Sequence, residues 1–583
     1  MQEKKKGEFL VKTFRILQYA KPYWKKVAVL FVMSTILALL SLVGPYLIKI
    51  LLDDVIIGKN MHLLMILMLV FILIFVIRTI IQIFYNYKTE ALEERIVLDV
   101  KTELFAHLEQ LDLGFFYSRQ LGDILVRMDQ DVYGIQNFIN IIIDGLIMNL
   151  LETVFILIVC LNLNWRVTLA SLTFFPFYII AQKYFGERIK KQKRVVIEKD
   201  AALLSFIQEG MMAIKAIKEF LLEKLELGRY TAKSRELIKQ DLRLNILSSY
   251  STAIVGVITF TPLIIILWYG SFKVIAGTLT IGSLMALYTY IGKLFGPIAN
   301  LGSVNIAIQT SFVSVDRVFE FLDLEPKVQD AEHAVRLENV KGEIIFDHVS
   351  FAYGKGTVLK DLHFTIKAAE KIGLVGPSGA GKTTIANLIC RFYDPTEGKI
   401  LLDRKDLRTI TLTSLRSNVG IVSQDVILFN ATIRENIRFG KIDATEQEII
   451  AAAKMANIHE FITKLEKGYE TMVGERGVNL SGGEAQRISI ARTLLKDPKI
   501  CIFDEGTSSL DAESEQKIQA SLEYVTKNRT TIFIAHRLST LKHVDRIFVI
   551  KGGKIIEEGT FKDLVRKKGM FQRYYRLQFK DAG

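Results

Sequence analysis

The densest chemistry in the chain lies in one run of nine residues, Gly376-Pro-Ser-Gly-Ala-Gly-Lys-Thr-Thr384. Its glycines allow backbone N–H groups to curl round phosphate oxygens, and a helix opening behind them adds positive potential at its amino end. Gly376, Pro377, Ser378, Gly379, Ala380, Gly381, Lys382, Thr383 and Thr384 together read as a phosphate cradle. Lys382 supplies a point charge for the β- and γ-phosphates of a nucleotide, and the Thr383 hydroxyl a ligand for Mg²⁺. The setting is the required one, with an apolar strand Ile372-Gly-Leu-Val375 before the run and a helical Ile385-Ala-Asn-Leu-Ile-Cys390 after it.

Such a site needs one carboxylate near the metal and a second to orient water. Ile500-Cys-Ile-Phe-Asp-Glu505 ends a buried strand pattern with both, Asp504 for the metal and Glu505 for the attacking water. Upstream, Leu480-Ser-Gly-Gly-Glu484 opens a helical pattern with Ile488, Ala491 and Leu495 on one face. Ser481 there is either a helix cap or part of a second anion site.

The elements that must carry these groups fall into two halves. Of the 583 residues, 50% are apolar and 23% charged, with a net charge of +13. Residues 1–330 contain 36 Lys+Arg and 30 Asp+Glu, against 39 and 32 in the shorter remainder. The net charges, +6 and +7, are spread over both halves, which argues against nucleic acid as a partner and for basic residues at a membrane surface. Three cysteines without paired spacing leave no disulfide framework and no zinc knuckle.

A spanning helix needs about 20 mostly apolar residues. Six segments qualify, at 27–52, 62–86, 138–163, 166–185, 247–272 and 281–306, and no signal peptide precedes them. Two long charged stretches, 87–137 and 186–246, read as helical hairpins that project beyond the bilayer, on the side that the basic residues Lys4, Lys5, Lys6, Lys12, Lys25 and Lys26 place inside. Residues 8–24 pattern as an amphipathic surface helix. Pro45, Pro176, Pro262 and Pro297 fall inside the spans, as tolerated kinks or as hinges. Arg78 and Glu152 are charges well inside spans two and three; they either pair between helices or leave Glu152 facing a cavity that selects cationic cargo. Asp144 and Lys293 sit nearer span ends.

The second half, on these motifs, resembles the nucleotide-binding domain of ATP-binding cassette (ABC) proteins, and residues 8–575 resemble an ABC exporter half-transporter of the multidrug or lipid exporter type. The resemblance implies a fold of a membrane all-α six-helix transmembrane domain (1–325), a linker (326–340) and an α/β P-loop NTPase cassette (341–583). It implies Tyr353 as the adenine-stacking aromatic and Gln424 as the Q-loop glutamine, near both the metal and the attacking water. It likewise implies Ser508-Ser-Leu-Asp511 as the D-loop, with Asp511 near ATP, and His536 as the switch histidine. Two cassettes would meet head to tail, so that ATP on Lys382, Thr383 and Gln424 of one chain meets Ser481, Gly482, Gly483 and Glu484 of another. Phe115–Asp123 and Ser205–Phe220 resemble the coupling helices, and Gly474-Glu-Arg-Gly477 the loop that touches them.

Two departures stand out: the signature ends in Glu484 where the family usually has Gln, and Phe503 and Gly506 replace the commoner Leu and Ala. The implied function is ATP-hydrolysis-driven export of hydrophobic or amphipathic compounds by alternating access, with ATP and Mg²⁺ as cofactors. The implied partners are a second copy or a related half-transporter, membrane lipid and a small hydrophobic cargo. The implied location is the cell membrane, with the amino terminus and cassette cytoplasmic. A heterodimer with one weakened ATP site, a lipid flippase and, more remotely, an ATP-gated channel are the alternatives; the fused spans exclude a soluble ABC ATPase.

Overall fold

The computed structural model describes residues 12–354, 356–423, 426–474, 480–504, 512–535, 538 and 540–580. Gln424, Glu505, Gly506, Asp511, His536, the Ser508–Asp511 segment and Glu475–Gly477 lie outside the described residues, as does the stretch before Lys12 with Lys4, Lys5 and Lys6. The chain forms two compact units, one of residues up to 108 and 122–323, the other of 109–121 and 324–583.

The first unit is helical: α1 (Trp24–Ile50), α2 (Met61–Gln110), α3 (Asn149–Leu172), α4 (Phe175–Met212), α5 (Glu223–Ile275) and α6 (Ile281–Leu322). Among the described residues, five helical stretches suffice in length and composition to cross a membrane: Lys12–Ile56, Met61–Gln110, Leu121–Leu172, Glu223–Ile275 and Ile281–Leu322. Met61–Gln110 and Glu223–Ile275, at 50 and 53 residues, would extend about 75–80 Å, more than twice the hydrocarbon thickness. The charged stretches therefore begin as direct continuations of apolar helices.

The expected fourth span, 166–185, is not one helix. Its residues divide between the end of α3 and the start of α4, with a break at Thr173–Phe174. Thr173 and Phe174 keep helical torsions, and the Thr173 and Tyr178 N–H groups donate to the Leu169 and Phe174 carbonyls, so the break beside Pro176 is a kink in the segment. Pro176 occupies the first turn of α4, where its missing N–H costs no helical hydrogen bond. The turn between the third and fourth segments falls at Asn164, whose backbone is extended (φ −163°, ψ 102°), and its side chain caps the helical residues beyond it by accepting from the Val167 N–H at 3.1 Å. Pro45, Pro262 and Pro297 do lie inside helices, all three buried.

Packing within this unit runs through small and polar contacts as well as apolar ones. Ile156 and Cys160 of α3, Ile266 of α5 and Leu287, Tyr290 and Ile291 of α6 form one buried cluster. Before α1, Lys12 and Arg15 pair with Asp316 and Asp323 near the end of α6, and the Arg15 guanidinium lies 4.0 Å over the Phe319 ring. At the other end of α6, Asp53 accepts from the Gly282 N–H at 2.8 Å and from the Thr280 hydroxyl. A side chain from the end of the α1 segment thereby satisfies one of the N–H groups that every helix start leaves open. The approach is close: a Cβ on Gly282 would stand 2.4 Å from the Lys49 carbonyl oxygen.

Among the described residues the second unit has two sheets. One is antiparallel, in the order β2 (Gly356–Ile366), β1 (Ile344–Tyr353), β4 (Glu397–Leu402), β5 (Lys405–Asp406). The other has the order β10 (Lys554–Gly559), β9 (Arg546–Lys551), β3 (Lys371–Val375), β8 (Thr530–Ile534), β7 (Ile500–Asp504), β6 (Val419–Val422), parallel except for β10. Strand β7 shows why the parallel sheet reads as continuous apolar runs. Ile500 and Ile502 join the cluster that includes both sheets and α7 (Lys382–Ile389), while Cys501 and Phe503 join the cluster containing α8 (Gly482–Lys496).

Gly282→Ala should lower the thermal unfolding temperature of the detergent-solubilised protein, with a cost of about 1–3 kcal/mol for the forced separation. An unchanged melting curve would show that α1 and α6 part there without penalty.

Candidate functional site

Strand β3 is buried along Ile372–Val375 and delivers the chain to Gly376, where a Cβ would lie 2.2 Å from the Ile550 carbonyl oxygen of β9. Only a glycine lets the loop leave the sheet this close to its neighbour. Gly379 and Gly381 take φ of +76° and +103°, the second serving as N-cap of α7. Pro377, Ser378 and Gly379 are exposed at the rim, while Ala380, Gly381 and Thr384 are buried beneath it. The loop therefore opens toward solvent over the amino end of α7.

Lys382 Nζ donates to the carbonyls of Gly376 (2.8 Å) and Pro377 (3.1 Å), so the ammonium is folded into its own loop. Burial lowers its pKa from the usual lysine value, and the nearby Asp504 works against that shift. A polyanion entering the cradle would supply the missing countercharge. Thr383 is exposed, and its Oγ1 donates to Asp504 Oδ2 at 3.1 Å. Asp504 closes β7, two places from β3 across β8, so both oxygens sit at the carboxyl edge of the parallel sheet. A hydroxyl and a carboxylate converging beside a phosphate loop suit Mg²⁺, which takes oxygen ligands and keeps water in most positions.

Tyr353 ends β1, is 41% exposed, and is held edge-on by Phe351 (4.7 Å) and Tyr393 (5.2 Å between centroids). It lines, with Tyr393, Thr383 and Asn387, a groove of about 1040 Å³. Tyr393 was not singled out from sequence; its cue is an aromatic just past the helix that follows the phosphate loop. Residues 109–121 belong to this unit, and their short helix Leu113–Ser118, capped by Asp112, brings Gly114 beside the Tyr393 ring. The second short helix of this kind covers Ile214–Glu219 only, since Ser205–Met212 still belongs to α4.

Ser481 caps α8, and with Glu484 it forms a reciprocal capping box. Its Oγ accepts from the Glu484 N–H (3.4 Å) while Glu484 Oε2 accepts from the Ser481 N–H (2.7 Å). Glutamine would fill the same role, so the departure at Glu484 leaves the helix start intact. Ser481 and Gly482 are exposed at this helix start and Gly483 is buried.

Residues 27–298 match the ABC transporter transmembrane region, and residues 359–508 match the ABC transporter family. A Bacillus subtilis (strain 168) protein provisionally named a multidrug export ATP-binding/permease protein is 37% identical over 97% of this chain and 99% of its own. The chain belongs to the ABC transporter family. An ATP-dependent lipid A-core flippase of Syntrophus aciditrophicus (strain SB) is 36% identical to this ABC transporter over 97% of the chain and 94% of its own. A solved bacterial Atm1-family ABC exporter with ATP bound superposes with a TM-score of 0.80 at 31% identity, covering 96% and 98% of the two chains. The protein is thus a membrane-embedded, ATP-binding and ATP-hydrolysing transporter with the ABC exporter fold.

In the helical unit of the transporter, Arg78 and Glu152 make no ion pair with each other among the described residues. Glu152 accepts from the Ser41 hydroxyl at 3.3 Å, and Lys293 Nζ donates to the Ser41 carbonyl at 3.1 Å. Arg78, Ser41 and Lys293 line a cavity of about 240 Å³ with Pro45, Phe71 and Phe75. The polar centre is therefore Ser41 on α1, reached from α3 and α6, with Arg78 of α2 lining the cavity beside it; the third charge, Lys293, sits nearer a span end in sequence. Asp144 has its own partner, the Tyr85 hydroxyl, which donates to it.

Gly376→Ala should weaken ATP binding about tenfold or more, about 1.4 kcal/mol, because the added methyl cannot fit against Ile550. Equilibrium binding of a fluorescent ATP analogue measures it, and parental affinity would show that the loop has room the geometry denies.

Proposed function

We propose that two copies of this chain form the working exporter, closing their cassettes on two ATP molecules to move a hydrophobic or amphipathic compound, drug or lipid, out of the inner leaflet. The observation that carries the reading is the corner where Lys382, Thr383 and Asp504 meet at the open edge of the parallel sheet, in a chain whose other unit is long apolar helices. The relatives named for multidrug export and for lipid A-core flipping support the cargo class.

In this reading Lys382 and the backbone of Gly376–Gly381 hold the β- and γ-phosphates, and Tyr353 stacks on adenine, worth about 1–3 kcal/mol. Thr383, Asp504 and Gln424 hold Mg²⁺, which would neutralise phosphate charge when bound. Glu505 orients the attacking water, His536 donates to the γ-phosphate, and Asp511 contributes to ATP binding. The exposed amino end of α8, with Ser481, Gly482, Gly483 and Glu484, meets the nucleotide held by the other copy. Glu484 adds negative charge there where Gln would not, which favours, as a second reading, pairing with a related half-transporter that supplies the second site.

Binding favours the closed pair and hydrolysis releases it, so the cycle biases the helical unit between two arrangements. The helices Leu113–Ser118 and Ile214–Glu219 transmit that bias. The amino terminus and cassette face the cytoplasm, in keeping with the basic residues before α1. The groups around Ser41, with Arg78, Glu152 and Lys293, serve as the polar contact for cargo.

Glu505→Gln should leave ATP binding intact and reduce hydrolysis by about 10²-fold or more, with transport in proteoliposomes falling in parallel. Near-parental turnover would remove Glu505 from this role, and a monomer at working concentration by mass photometry would remove the paired cassettes.

A further inference from the structure

Strands β1 and β2 pair with three register shifts, the first two of them bulges in succession around His348 and Asp361. Phe346 pairs with Phe364 and Val349 with Leu362, so Asp347 and His348 together face the single residue His363. Val349 and Leu362 are followed by the pair Phe351 and Leu359, which leaves Lys360 and Asp361 facing Ser350. Each bulge contains a non-glycine residue in the left-handed region, His348 and Asp361, both at φ 50°. The third strand holds this backbone closely: a Cβ on Gly398 would lie 2.2 Å from the His348 carbonyl oxygen.

The double bulge sorts the side chains. Phe346, Val349, Leu362 and Phe364 stay in the core, while Asp347, His348, Asp361 and His363 all project from the other face. Without the extra residues, alternation would have turned some of these polar groups inward. On that face the His348 and His363 rings stack 4.9 Å apart at 26°. One ligand atom from each of Asp347, His348 and His363 lies within 4.8 Å of the other two.

We propose that Asp347, His348 and His363 form a binding site for a first-row divalent transition metal of the zinc class. Two ligands on one tetrahedral zinc, at about 2.0–2.1 Å each, stand about 3.4 Å apart. His363 Nδ1 and Asp347 Oδ1 are already 3.6 Å apart, and His348 is an exposed side chain with a ring nitrogen within 4.8 Å of a ligand atom of each. Asp361 Oδ1 accepts from His348 Nδ1 at 2.7 Å, which leaves the lone pair of the neutral ring on Nε2, the nitrogen free to ligate. A carboxylate behind a ligating imidazole is the usual outer partner in such sites. Lys399 Nζ lies 3.6 Å from Asp347 Oδ2, the oxygen that monodentate ligation leaves over. Two imidazoles select Zn²⁺, Cu²⁺ or Ni²⁺ over Mg²⁺ or Ca²⁺, so this site is distinct in chemistry from the Thr383–Asp504 corner. Bound metal would tie β1 to β2 across both bulges, on the strand that ends in Tyr353.

The test is titration of the full-length transporter, purified without a polyhistidine tag, with Co²⁺ and then Zn²⁺. The expected result is one metal per chain, a visible Co²⁺ ligand-field band that Zn²⁺ abolishes, and a melting temperature raised by Zn²⁺. His348→Ala with His363→Ala should weaken binding at least tenfold, and Asp361→Asn about tenfold. Basal ATP hydrolysis and metal-free melting of both variants should match the parent, which separates ligand loss from misfolding. Equal affinity in parent and double variant, or no saturable binding at millimolar metal, would overturn the site; so would a bound metal that survives His363→Gln unweakened.

Discussion

Everything in the cassette depends on one constraint: a parallel strand buried on both faces must release its chain at a point where backbone amides are still open. Strand β3 has no room for a side chain at its exit, since the Ile550 carbonyl occupies the place a Cβ would take at Gly376. The chain turns through left-handed glycines and enters α7 with Lys382 folded back over its own loop. The apolar clusters on both sides of the sheet keep β7 in register, which sets Asp504 against Thr383. The site is thus a product of burial: the polar groups gather at the one sheet edge that the core leaves open.

The helical unit meets a different constraint, because apolar surroundings leave no water to satisfy backbone groups. Long uninterrupted helices answer it along most of their length. Where a helix starts or breaks, side chains answer it: Asp53 caps α6 from another segment, Asn164 caps after its own turn, and Pro176 occupies a position with no donor to lose. The charged groups obey the same rule, with Ser41 drawing in both Glu152 and Lys293.

The nucleotide corner was legible in sequence because each of its parts is local. The glycine spacing, the strand before it and the acidic strand end can be read within ten residues, and their meeting follows from strand order. What was not legible depends on contacts between distant segments or on one torsion. The pairing expected of Arg78 and Glu152 could not be decided from span positions, since it turns on Ser41 and Lys293 from two other helices. The division of segment 166–185 follows from a break at Thr173–Phe174, inside a run whose apolar pattern gives no warning of it. Glu484 looked like an anomaly of a signature and proves also to be half of a capping box. The bulges at His348 and Asp361 leave only a one-residue slip in the apolar alternation, from Phe346 to Val349 and from Leu359 to Leu362, and which residue takes the left-handed torsion is not written in it.

The central claim is that the Lys382–Thr383–Asp504 corner powers the apolar half of the same chain. Its most direct test is accumulation of a fluorescent amphiphile in sealed inside-out vesicles reconstituted with purified protein, comparing the parent with Lys382→Ala. Accumulation in the parent should require hydrolysable ATP and Mg²⁺ and should vanish in Lys382→Ala, with both proteins equally folded. ATP-independent accumulation, or parental transport in Lys382→Ala, would contradict the account.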